Sequence, residues 1–266
     1  MGALLYFAAV LTACGDKRRN PGDVACARDR SGVFVYHCTE GVVLMPGAAG
    51  ALDYEVLRVL LTEERLGSYL AASGGDISAA FVLYEWNMDA SAAAISLSAM
   101  VEVVLRNALD RSMERLAQRK GWSDWLDAAP LDGRALKDVR QARERASRGR
   151  REPTHGRVVA ELSLGFWRYL MSRRYLTTLW IPTLHSAFPG ATGDARTRQR
   201  ALEGHVEQLL YLRNRAAHHE PIHRRDLGAD LARALELAAS VHPVAADWIR
   251  AREQLSAAIA TKPVLG

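Results

Sequence analysis

Along most of the chain, apolar residues recur at three- and four-residue steps, the spacing that gathers them on one side of an α-helix. No segment sustains the two-residue alternation of a half-buried strand. Between Asp53 and Ser73 the set is Val56, Leu57, Leu60, Leu61, Leu66 and Leu70, and Gly74 and Gly75 stop it. Asp76 is a good N-cap for a longer helix that carries Phe81, Leu83, Tyr84 and Trp86. An alanine-rich run with Ile95, Leu97, Val101, Leu105 and Leu109 extends it to about Gln118, with residues 87–89 as the natural place for a break. Gly121 ends this run, and a short aromatic turn follows over 122–126. The pattern then predicts a polar, arginine-rich helix or arm over 134–149, a core helix over 156–170 and a helix over 195–218 with Leu202, Val206, Leu209, Leu210 and Leu212 on its apolar face. Two closing helices span 225–239 and 243–259, and no repeat of fixed period is present. The expected fold class is all-α.

The first 44 residues stand outside this pattern. Residues 15–44 show neither helical nor strand periodicity, and the predicted domain runs from 50 to 262. The opening residues end in Leu11, Thr12, Ala13 and Cys14, which has the form of a lipobox, but no positive charge precedes the apolar run as a lipoprotein signal requires. The expectation is an unstructured leader, or an over-long start with Met45 as the natural one, and a lipoprotein anchored through Cys14 is the alternative. All three cysteines, Cys14, Cys26 and Cys38, fall in this stretch, so the body has no thiolate metal site and no disulfide, as suits a reducing compartment. Cytoplasmic location is expected, and no stretch is read as long and apolar enough to span a membrane.

Composition changes the picture little. At 266 residues and 49% apolar, the chain is long enough for a proper core, and its net charge of +5 permits a polyanionic partner without demanding one.

Candidate chemistry sits at the end of the helix over 195–218, in Arg213, Asn214 and His218. Histidine has an unperturbed pKa of roughly 6.5, so it accepts and returns a proton near neutrality. Arginine is a permanent, forked cation suited to a phosphate whose charge grows toward a pentacoordinate transition state. RNA carries its own nucleophile in the 2′-hydroxyl, so a base and a phosphate clamp suffice, with no metal and no cofactor. Residues four apart, such as Asn214 and His218, share a helix face, whereas residues five apart point about 140° from each other. Arg213 must therefore wrap round, or the helix distort near Pro221, for all three to converge. The competing explanation is that Arg and His near a helix C-terminus simply complement the macrodipole.

The stretch from Leu210 to Ile222 resembles the signature of Abi-like proteins, a bacterial abortive-infection family of the HEPN superfamily, in which Arg, a polar residue, three further residues and then His follow one another. Two other segments resemble the same family in the same order: Leu83–Asn87 followed by Val101–Leu109, and Val158–Trp167. The resemblance covers roughly residues 55–245 and implies a HEPN-type helical bundle, here with additional flanking helices. It implies metal-independent endoribonuclease activity in phage defence or as a toxin, or else an RNA- or protein-binding module without catalysis. On this reading Arg213 clamps the phosphate, Asn214 orients it and His218 is the general acid or base. Glu102, Arg106 and Asn107 support the motif or line its groove, and His219 assists His218. Partners would be RNA, a second copy of the chain in a homodimer, and a neighbouring antitoxin, with no membrane.

Several rivals compete for these residues. His219, Glu220, Pro221, Ile222 and His223 match the zinc-protease pattern H-E-x-x-H, but Pro221 inside it breaks the helix that would present both histidines to one ion. Glu102 and Arg106 are also spaced as an ordinary ion pair. His155 reads as a surface residue, and the basic run over 140–151 as a solvated face that could track an RNA backbone. The large aromatics read as core anchors.

Overall fold

Asp76 and Gly121 bound a single unbroken helix of 44 residues, about 66 Å long at the standard rise. The Asp76 carboxylate accepts from the Ala79 N–H at 3.0 Å, and Gly121 closes the helix in the left-handed conformation with φ 69°. In the computed structural model the described residues are 25–28, 34–38, 41–44, 52–149 and 152–265. They fall into two units, Met1–Leu61 and Thr62–Gly266.

The first unit holds three strands, β1 (Ala25–Arg28), β2 (Phe34–Cys38) and β3 (Gly41–Leu44), paired antiparallel in chain order with Cys26 opposite Tyr36 and Tyr36 opposite Val43. The expectation of an unstructured stretch before Met45 is corrected here. Strands of four or five residues are too short to show an alternation, and their identity rests on pairing with each other. The lipobox at Cys14 lies outside the described residues. Helix α1 (Tyr54–Leu61) completes the unit and buries none of its side chains.

The second unit is all-α among its described residues. Helix α2 (Glu63–Ala72) starts after Thr62, whose φ of 69° interrupts the helix expected over 53–73. Helix α3 (Ile77–Lys120) follows and forms the axis of the unit. The break expected near 87–89 is absent, because Asn87 is used inward as a hydrogen-bonding side chain. After the short α4 (Trp125–Ala128) come α5 (Gly133–Ala146) and α6 (His155–Glu161), which pack on each other. Helix α7 (Leu164–Leu170) is separate from α6, contrary to the single helix expected over 156–170. Ser163 caps it by accepting from the Phe166 N–H, and Leu162 is extended. Short 3₁₀ and π turns over 173–187 lead to α8 (Ala195–Ala217), α9 (Leu227–Val241), α10 (Pro243–Arg250) and α11 (Leu255–Ala260). The last two replace the one helix expected over 243–259.

Helices α2, α8, α9 and α11 pack along α3, whose buried residues include Leu83, Ala90, Ala94, Leu97, Val101, Leu105, Leu109 and Met113. A helix enclosed this way must be apolar round most of its circumference. By length and composition α3 is therefore also long and apolar enough to cross a membrane, although 44% of its most apolar window is buried in protein. That corrects the expectation that no stretch qualifies: alanine, rather than a run of long apolar side chains, supplies the character. The aromatics are core anchors as expected, with Trp125, Phe166, Trp167, Trp180 and Phe188 buried. Indole N–H groups are paired at Trp125 with Asp110 and at Trp180 with the Ala195 carbonyl.

Candidate functional site

The C-terminal end of α8 is fixed by its own backbone. The Glu220 N–H donates to the Arg215 carbonyl and the His219 N–H to the Ala216 carbonyl, the two bonds of a Schellman cap, with His219 at φ 57° where glycine is usual. His218 is the last residue before that turn. Arg215 tightens the cap further: its Nη2 donates to the Pro221 carbonyl at 2.8 Å, its Nη1 to the Tyr211 hydroxyl at 3.1 Å, and Glu220 lies 3.3 Å away as an ion-pair partner. Asn87 anchors the exit, accepting the Ile222 N–H at 2.7 Å from a buried position on α3.

On this rigid end Arg213, Asn214 and His218 are all exposed. Arg213 Nη1 donates to Asn214 Oδ1 at 3.4 Å, a long bond that ties the guanidinium to its neighbour. The expected convergence of Arg213 with His218 is not made: among the described residues the His218 imidazole enters no hydrogen bond or ion pair, and its backbone N–H simply continues the helix to the Asn214 carbonyl at 3.0 Å. Arg213 instead lies within electrostatic reach of Glu102 on α3. Burial raises the Glu102 carboxyl above the usual carboxylate range, against the pull of Arg213, then of Arg106, and of the Leu164 backbone N–H at the start of α7. Residues from all three family-like segments thus meet around one carboxylate.

The other supporting residues divide. Glu102 and Arg106 form no close ion pair among the described residues. Arg106 Nη1 reaches the Ala160 carbonyl of α6 at 3.5 Å, and its Nε is buried without a partner. Asn107 is exposed. His219 is exposed too, and its carbonyl accepts from Arg65 on α2. The H-E-x-x-H segment lies wholly beyond α8. His219 is in the cap, whereas His223 is buried and stacked on Tyr69 with centroids 5.0 Å apart, so no helix presents the two together.

A second cluster was not legible in the sequence. His155, expected on the surface, lies between two carboxylates: its Nε2 is 2.9 Å from Asp110 Oδ1 and its Nδ1 is 3.1 Å from Asp124 Oδ1. The Asp110 carboxylate, with Asp124 adding to it against the cost of burial, lifts His155 to about 9, so the imidazolium donates from both nitrogens. Asp110, Glu114 and His155 present ligand atoms within 4.8 Å of one another, the one grouping of metal-ligating type among the described residues. A metal there would have to displace the proton that both aspartates hold. No signal in the chain pairs residues 31 and 45 positions apart, and only the fold joins them. Part of the basic run is likewise engaged, with Arg143 on Asp127 at 2.7 Å and Arg145 on Glu161 at 3.0 Å, while Arg150 and Arg151 lie outside the described residues.

Comparison with models of known families, with curated proteins and with solved structures finds no match to this chain.

Proposed function

We propose that this chain is a metal-independent endoribonuclease of the Abi-like, HEPN type, working in the cytoplasm as a homodimer in phage defence or as a toxin. One observation carries the reading. Of the two arginines that flank Asn214, Arg215 is consumed by the helix cap, whereas Arg213 stands exposed beside Asn214 on the same rigid end as an unengaged His218. A cation, an orienting amide and a free imidazole are what phosphodiester cleavage by an internal nucleophile requires.

In the proposed step His218 takes the proton of a ribose 2′-hydroxyl, and the oxygen attacks the adjacent phosphorus. The bond to the 5′-oxygen breaks and that oxygen takes up a proton, leaving a 2′,3′-cyclic phosphate and a 5′-hydroxyl. Arg213, steadied by Asn214 and Glu102, balances the charge that builds on the phosphate oxygens. His219 lies one residue on, at the edge of the same surface, and Arg106 and Asn107 continue it along α3. A single copy leaves this surface open, with no opposing wall about Arg213 and His218. A second copy facing the first would enclose the phosphate and supply the second proton-transfer group.

The same openness also suits an RNA-binding module without catalysis, and one experiment separates the two. Expression of the wild-type chain should arrest bacterial growth, with ribosomal or messenger RNA fragmented, and His218→Ala should relieve both while still binding RNA. Tight RNA binding by both proteins with no fragmentation in either would establish the binding module instead. A strictly monomeric, fully active protein would remove the homodimer.

A further inference from the structure

Beside the end of α8 a cavity of about 220 Å³ opens between α2, α3 and the cap. Ala216 and His219, the residues on either side of Ala217 and His218, form part of its wall, and Tyr84, Met88 and Ile95 give it apolar faces. Three polar side chains interrupt that wall. Asn87 is satisfied by the Ile222 N–H. Tyr69 and Ser91 are not: the residues are 0% and 7% exposed, and neither hydroxyl has a hydrogen-bond partner among the described residues. An unpaired buried hydroxyl costs about 1–3 kcal/mol, so two of them at one apolar cavity are the mark of a partner that enters it.

We propose that this cavity is a nucleobase subsite, holding one base of the RNA next to the phosphate handled by Arg213 and His218; the choice of ligand rests on the ribonuclease reading above. Proteins that read unpaired RNA hold a splayed base by its faces against aromatic or apolar side chains and by its edge through hydrogen bonds. Here the apolar walls suit the faces and the two hydroxyls the edge. Each hydroxyl can donate or accept, as a base edge with both kinds of group requires. Tyr69 is held rigidly for this role, stacked on His223 and edge-on to Tyr84 with centroids 5.3 Å apart. Burial pushes its phenol up to about 12, so it stays a neutral donor at any physiological pH. The cavity is too small for a drug-sized ligand but of a size for a single ring system. The exposed apolar face of a second copy would cover the walls yet leave both hydroxyls unpaired.

The test titrates the full-length protein with adenosine, guanosine, cytidine and uridine, each beside ribose 5-phosphate, and follows binding by NMR or calorimetry. At least one nucleoside should bind saturably and ribose 5-phosphate should not. Ala92→Trp, which fills the rim of the cavity, should abolish that binding, and Ser91→Ala should weaken it about five- to tenfold, as loss of one hydrogen bond does. His218→Ala should retain it. In RNA cleavage, Ala92→Trp should change which base adjoins the cut. No nucleoside binding at millimolar concentration, equal binding of ribose 5-phosphate, or dissociation of a dimer by Ala92→Trp with base preference intact would each overturn the subsite. The two readings fail separately. A protein that cleaves RNA but binds no nucleoside loses only the subsite, whereas one that binds a nucleoside here and never cleaves RNA loses the ribonuclease.

Discussion

His218 and His155 sit in the same helical unit and are treated in opposite ways. His155 is saturated: two aspartates occupy both its nitrogens and its charge is fixed by them. His218 is exposed at a helix end whose backbone bonds are all accounted for by the cap, and its ring is committed to nothing. A histidine that must shuttle a proton has to be free to change charge and reach a ligand, while one that joins two elements must not. The same contrast separates Arg215, locked on the Pro221 carbonyl, from Arg213. A large perturbation of a titrating group is thus here a sign of architecture, and the candidate chemistry lies where the groups are left alone.

The largest effect expected is on catalysis. Arg213→Ala and His218→Ala should each lower RNA cleavage by roughly 10²–10⁴-fold, with a change in stability within about 0.5 kcal/mol because both side chains are exposed. Denaturant unfolding alongside cleavage assays checks this, and a large loss of stability in either variant would move that residue to the structural side of the comparison. Arg213→Lys should recover only part of the activity, since a point charge does not reproduce a forked guanidinium.

His155→Ala should do the reverse. Removing the cation leaves Asp110 and Asp124 facing each other, at a cost of about 2–3 kcal/mol, the lower end for a broken buried pair because the imidazole is about a quarter exposed. Cleavage per folded molecule should stay within about twofold of wild type, the size of effect expected of a residue outside the reacting groups. Equal loss of stability and of specific activity would tie the clamp to the site.

The pH dependence of stability follows with its sign. His155 has a folded pKa of about 9, above its unfolded value of roughly 6.5, so the stabilisation it gives is complete below about 6.5 and is lost as pH rises through 9. Melting temperature should fall between pH 7 and 10 in the wild type and fall less in His155→Gln. Identical profiles would show that the imidazole does not carry the charge of the clamp.

The smallest effect concerns the cap. His219 holds φ 57° at the place glycine favours, so His219→Gly should stabilise by about 0.5 kcal/mol. Thermal unfolding resolves a change of that size, and a destabilisation would mean that the His219 side chain contributes more than its backbone costs.

Much of this molecule was legible in its sequence for local reasons. The periodicity and the caps at Asp76, Gly121 and Asp194 sufficed for the long helix and for α8, because both are determined by residues within a few positions. The breaks at Thr62, at Leu162–Ser163 and after Arg250 were not visible, since apolar spacing runs on through them. The strands over 25–44 were missed because each is defined by its partner. At the site, adjacency in the chain marked Arg213, Asn214 and His218. That Arg213 leans toward Glu102 while Arg106 reaches Ala160 depends on how α3, α6 and α8 pack. The His155 clamp is non-local throughout, and so is the cavity beside His219.

The most direct measurement is the chemistry of the cut itself. Purified protein and a defined RNA are incubated in excess EDTA, and the ends of the fragments are identified by mass spectrometry for the wild type and for His218→Ala. The account predicts fragments ending in 2′,3′-cyclic phosphate with matching 5′-hydroxyls from the wild type, and essentially none from the variant. Cleavage that EDTA abolishes, 3′-hydroxyl ends, or equal cutting by His218→Ala would contradict it.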